Sequence, residues 1–182
     1  MSSANKNKGK RGEREVADHL SSVFDLNFER VPNSGAFTGG KNFFRKAKLT
    51  ETQNLLAEGD LIVPDQLKHL CFEIKTYKDF SFAGVYTKNK QLDDWIKQAS
   101  ATEKVWFLIF KINHAGAFVV FDKKLQGILK IPSCFSIYND YNIIVSMQNF
   151  FENNKDNLLY LKSLLTSKDN SVSFENVKDT ST

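Results

Sequence analysis

Two short apolar segments carry the residues best suited to chemistry: Glu58-Gly59-Asp60-Leu61-Ile62-Val63 and, after a polar break, Leu70-Cys71-Phe72-Glu73-Ile74-Lys75. Along a strand successive side chains alternate, so Leu70, Phe72 and Ile74 form a core face while Cys71, Glu73 and Lys75 share the other. Pro64 to His69 has the composition of a turn. It predicts an antiparallel hairpin in which Val63 pairs with Leu70, Leu61 opposes Phe72 and Asp60 falls opposite Glu73. Opposed Cβ atoms lie roughly 5 Å apart, a distance at which two carboxylates repel unless positive charge sits between them. Lys75 satisfies that need as an ion-pair partner, a divalent cation satisfies it with oxygen ligands, and the two are compatible. For the hairpin taken alone, an ion pair on a solvated face with no chemistry attached is the favoured reading.

The elements around this hairpin add a third acid. From Lys10 a helical period begins, with Val16, Ala17, Leu20, Val23 and Phe24 forming one apolar stripe. One turn back along that stripe stands Glu13. It is either an interior carboxylate that needs a partner or a helix-start acid favoured by the dipole. Asn27 to Val31 reads as a short strand closed by Pro32-Asn33-Ser34-Gly35. In residues 36–58, Phe37, Phe43 and Phe44 alternate with Gly39, Gly40, Lys41, Arg45, Lys46 and Lys48, a pattern that suits nucleic-acid contact or a solvated basic face. Thr50-x-x-Gln53 suggests a capping box for a short helix.

Later, Leu92, Trp95, Ile96 and Ala99 predict a core-packing helix. Val105 to Ile112 is an apolar run of buried-strand length, His114-Ala115-Gly116 turns it into Ala117 to Phe121, and Tyr141 to Val145 is a last strand. Met147, Phe150, Phe151, Leu158, Leu161 and Leu165 hold a helical register interrupted by polar residues, giving one long helix or two short ones.

At 182 residues and 41% hydrophobic, with sixteen Phe, the chain has the size and apolar content for one domain with an aromatic core. A formal charge of +4 and a pI of about 8.9 suit a polyanionic partner. The two cysteines, Cys71 and Cys134, have no metal-type spacing and read as reduced thiols. No apolar run reaches bilayer length and the N-terminus is polar and basic, so the expectation is a soluble, intracellular protein.

The order of these segments resembles the PD-(D/E)XK nuclease superfamily, whose signature is an Asp, a gap, then Asp/Glu-x-Lys on the next strand. Here it reads Gly59-Asp60 and Glu73-Ile74-Lys75. The opening Lys8-Gly9-Lys10-Arg11-Gly12-Glu13-Arg14-Glu15 resembles the lysine-glycine and glutamate-arginine-glutamate start of archaeal-type Holliday-junction resolvases. Arg30-Val31-Pro32-Asn33-Ser34-Gly35 is similar to the arginine and serine-glycine segment that precedes the motif Asp in that family. The likeness runs from about Lys8 to Ala99, and beyond it only the strand order agrees. The chain departs in two places. The insertion at 36–58 is closer to small phage-type endonucleases of the superfamily, and Gly59 stands where the superfamily's name has Pro.

The resemblance implies that Asp60 and Glu73 hold Mg²⁺, or Mn²⁺ in its place, with the Ile74 backbone carbonyl as a third ligand. It implies that Glu13 completes the site or orients a metal-bound water. Lys75 would orient or deprotonate the attacking water and offset charge on the phosphate. Arg30 and Ser34 would contact the scissile strand, with Lys8, Lys10, Arg11, Lys41, Arg45, Lys46 and Lys48 as further DNA contacts. Gln91, one helix later, is where related nucleases often carry a polar residue near the site, though plain surface suits it better.

The expectation is therefore an α/β domain with a restriction-endonuclease-like core, a mixed central β-sheet flanked by helices. It spans residues 10–165, between a flexible basic tail at 1–9 and a disordered polar tail at 166–182. The expected activity is metal-dependent endonucleolytic hydrolysis of branched DNA, by a homodimer because resolution needs two sites, joined through the Trp106 strand or the C-terminal helix. The expected location is the cytoplasm of a bacterial or phage-infected cell, near the nucleoid and away from membranes. A same-fold nuclease for other DNA (restriction-like, repair or nicking) and a non-catalytic DNA-binding protein are the alternatives.

Overall fold

Val16, Ala17, Leu20 and Phe24, all buried, draw one side of α1 (Ser3–Phe24) onto the core. The computed structural model describes residues 3–32 and 58–165, with side chains from residue 7 onward. The helix begins at Ser3, seven residues before the Lys10 start read from periodicity, because the polar opening segment continues the helix without adding to its stripe. The expected capping box at Thr50 lies outside the described residues.

After α1 come two short strands, β1 (Glu29–Arg30) and β2 (Leu61–Ile62), paired antiparallel with Glu29 opposite Ile62 and Arg30 opposite Leu61. This corrects the expected hairpin. β2 ladders with β1, and its lead-in touches β3 (Leu70–Tyr77) through one backbone bond, from Asp60 N–H to the Phe72 carbonyl at 2.8 Å. The connection between β2 and β3 is a packed 3-10 turn, Asp65–Leu67, whose Leu67 is fully buried.

From β3 the chain crosses through α2 (Lys90–Ala99) to β4 (Val105–Ile112), which runs parallel to β3 as a helical crossover requires. Asn89 caps α2 by accepting from the Leu92 N–H at 3.1 Å. Strands β5 (Gly116–Asp122), β6 (Phe135–Tyr138) and β7 (Asn142–Ser146) complete a mixed sheet of order β3-β4-β5-β7-β6. The turn at His114 and Gly116 uses positive φ of 61° and 100°. Helix α3 (Phe150–Leu159) ends at Tyr160 and 161–165 are helical again, so the C-terminal register is two helical pieces.

Each face of the sheet is covered. On one side α1 and α3 close over Phe72, Phe107, Val119 and Phe121; on the other α2 closes over Trp106, Leu108, Phe110 and Val120. This is the mixed, helix-flanked sheet read from the sequence. Trp106 is buried and its strand is flanked by β3 and β5, so this one of the two expected dimer seams presents no free strand edge. Among the described residues no helix is long and apolar enough to cross a membrane.

Candidate active site

The site starts from a backbone constraint. Gly59 has φ +78°, and a Cβ there would lie 2.7 Å from the Phe72 carbonyl oxygen and 2.9 Å from the Cys71 Sγ. Proline, locked near −65°, cannot adopt that conformation, which explains glycine at the position before the motif Asp. Glu58 anchors the lead-in through an ion pair with Lys104 at 2.9 Å and a hydrogen bond from the Thr102 hydroxyl.

This close approach delivers Asp60, which is 7% exposed, against the outer edge of β3. Its carbonyl accepts from the Val31 N–H at 2.9 Å, and its carboxylate Oδ2 accepts from the Ile74 N–H at 2.7 Å. The acid is thereby fastened to the peptide that joins Glu73 to Ile74.

Glu73 and Lys75 share the face of β3 that lies under α2, as the alternation predicts. The Glu73 side chain is 7% exposed, and its Oε1 accepts from the Lys75 ammonium at 2.5 Å and from the Gln98 amide at 2.6 Å. Lys75 also donates to the Gln98 carbonyl oxygen at 2.8 Å, closing a three-residue ring. Two of the three ammonium protons are thus engaged, and the Glu73 Oε2 has no hydrogen-bond partner among the described residues. Cys71, on the same face, is held as a neutral thiol. Burial first, then the carboxylate of Glu58, pushes its pKa up to about 12.

A second constellation lies beside the first. At Gly12 a Cβ would sit 2.0 Å from the Thr76 hydroxyl oxygen, so α1 crosses β3 where only a glycine fits. The next residue, Glu13, is paired with Arg30, whose Nη1 lies 3.2 Å from Glu13 Oε2 and donates to the Val31 carbonyl at 2.9 Å. Glu13 therefore has a partner, where the stripe alone had suggested an interior acid without one. Among the described residues no three His, Cys, Asp or Glu side chains are gathered to hold a metal ion. Glu13 stands with Arg30 and is not gathered with Asp60 and Glu73.

Of the other expected contacts, Lys8 is partly exposed and Lys10 and Arg11 are exposed on α1, with Arg11 reaching Glu15 at 3.5 Å. Ser34, Lys41, Arg45, Lys46 and Lys48 lie outside the described residues. Gln91 makes no hydrogen bond to the site; the polar residue there is Gln98, two turns along the same helix. Position 98 shares a helix face with 91, and the direction of the crossover would have singled it out, because a helix between parallel strands runs back toward their starts.

A family model described as "Phage putative PDDEXK endonuclease" matches residues 4–173. Protein D14 of Escherichia phage T5 is 34% identical over 105 residues, 55% of this chain and 57% of that protein. The chain thus spans a little over half the length of that curated relative. No solved structure matches.

Proposed function

The chain belongs to the phage PDDEXK endonuclease family, and from that premise we propose that it is a divalent-metal-dependent endodeoxyribonuclease that cuts branched DNA as a homodimer. The observation that carries this reading is the Asp60 carboxylate bonded to the Ile74 N–H, between Glu73 and Lys75. It joins the two halves of the Asp…Glu-x-Lys signature in space.

The donor set fits a hard cation. Asp60 and Glu73 supply carboxylate oxygens on either side of one peptide, and the Glu73 Oε2 is an oxygen without another partner among the described residues. A strand residue presents its N–H and C=O to the same side, so the Ile74 carbonyl shares the edge that Asp60 occupies. Mg²⁺ is commonly held by one or two carboxylates, with waters and substrate phosphate completing its shell. When bound, the ion would polarise the phosphate and lower the pKa of its water. Lys75, held by Glu73 and Gln98, directs its remaining proton toward the phosphate or the attacking water. Arg30 is the phosphate contact nearest Glu13, and Glu13 acts from outside the metal pair through water.

The test uses purified full-length chain with a four-way junction, a linear duplex and a single strand, in Mg²⁺ or EDTA. Cleavage of the junction in Mg²⁺ alone is expected, lost in Asp60→Asn and Lys75→Ala. Cleavage that survives either substitution would overturn the assigned site. Equal cutting of duplex and junction would remove the branched preference. Light scattering of the free protein should give twice the chain mass; a monomer would overturn the dimer.

A further inference from the structure

Beyond the catalytic ring, β3 continues to Tyr77, two residues past Lys75 and on the same face. The separation along the strand is roughly 7 Å, about two base steps of a stacked DNA strand. The Tyr77 ring lies against Trp95, with centroids 4.8 Å apart, and Trp95 is one helical turn from Gln98. Trp95 is itself buried and stacked on Phe80 at 5.8 Å, so the support is rigid. Tyr77 nonetheless leaves 41% of its surface exposed, and its hydroxyl makes no hydrogen bond among the described residues. The stretch that follows, 78–90, exposes Lys78, Lys88 and Lys90 against one acid, Asp79.

We propose that Tyr77 is a stacking platform for an unpaired nucleobase flanking the scissile phosphate. The inference rests on the nuclease reading above and deepens it by assigning a substrate class. A base inside continuous duplex has both faces covered by its neighbours and cannot reach a protein ring without unstacking. A base at a branch point, gap or fray has a free face. The platform therefore favours DNA discontinuities over continuous duplex through stacking, with the lysines holding the backbone. An aromatic that only covered Trp95 would be replaceable by any apolar side chain. A stacking platform needs a ring.

The test places 2-aminopurine either unpaired at the branch of a three-way junction or within a continuous duplex of the same sequence. Full-length protein is titrated in Mg²⁺ in a Lys75→Ala background, and gels on the same samples check for cutting. Quenching of the branch probe is expected with Tyr77 and with Tyr77→Phe, and its loss in Tyr77→Leu. Tyr77→Leu should weaken junction binding by about 5- to 150-fold, the range for losing one base from an aromatic ring, and leave duplex binding unchanged. Equal weakening on both DNAs, or quenching that persists in Tyr77→Leu, would overturn the platform while leaving the nuclease reading intact. A parent protein that binds neither DNA would overturn both. Thermal melts of the variants accompany the titrations, and a loss of quenching in Tyr77→Phe with an unchanged melt would also refute the proposal.

Discussion

Gln98 touches both halves of the Glu73–Lys75 pair, so it sets the position of the lysine as well as that of the acid. Truncating a group that orients a reacting side chain in this way costs about 10- to 100-fold, by analogy with partners of metal ligands. Gln98→Ala is expected to slow cleavage by about that factor in single-turnover assays, with DNA affinity preserved, whereas Gln91→Ala should leave the rate unchanged. Gly59 is a separate constraint, acting on the backbone. Gly59→Ala forces a side chain into a positive-φ position and onto the Phe72 carbonyl. It should lower the urea-unfolding free energy by roughly 1–3 kcal/mol, and Gly59→Pro by more. At this scale the sequence was legible where chemistry and spacing coincide: Asp60, Glu73 and Lys75 announce themselves by type. Gln98 did not, since a polar residue on an amphipathic helix looks like surface until the helix is known to run back along β3. The Arg30 partnership of Glu13 was equally hidden, because it joins residues seventeen apart across two elements.

Elements were legible in proportion to how strongly burial patterned them. β4 has the bounds read from its apolar run, and α2 follows from Leu92, Trp95 and Ala99, because both elements fill the core. β6 was missed. Its Phe135 and Ile137 are 39% and 44% exposed at the sheet edge, and only Tyr138 is buried, leaving no alternation to read. Composition marks a turn at 64–69 without saying which strands it joins, and β2 pairs with β1 in place of the expected hairpin partner β3. That turn region carries a titratable tie: the His69 Nε2 meets the Leu158 carbonyl at 3.0 Å, linking the start of β3 to the end of α3. Burial, the largest cause, holds its pKa below the usual histidine value of 6.5. The unfolded chain therefore takes up the proton first as pH falls, and stability declines below about pH 6.5 until the folded imidazole also protonates. His69→Gln, which can still donate to that carbonyl but does not titrate, is expected to flatten the urea midpoint between about pH 7.5 and pH 5.5. An unchanged pH slope in the variant would show that another group controls acid sensitivity.

Taken whole, the molecule assembles the candidate site along the β3 edge of the sheet, from pieces held on opposite faces. Glu13 comes with α1 and the first core, Gln98 with α2 and the second, and β3 carries the residues between them. The first core is a web of rings centred on Phe72, whose neighbours Phe28, Phe107 and Phe151 lie 6.1, 5.7 and 6.1 Å away. Phe72 also offers the carbonyl that receives the Asp60 N–H, so core packing and acid placement share one residue. Phe151 belongs to this web and is fully buried, yet bonds to no site residue. Phe151→Ala leaves a ring-sized void and should cost about 3–5 kcal/mol. For a chain of this size that lowers the melting temperature by roughly 6–20 °C. Because the void sits behind the web, cleavage at low temperature should match the unsubstituted protein. On warming, activity and the far-ultraviolet circular dichroism signal should disappear together, at the lower midpoint. If activity fails well before the signal does, α1 separates from β3 ahead of global unfolding, and the site depends on that contact more than on the integrity of the sheet.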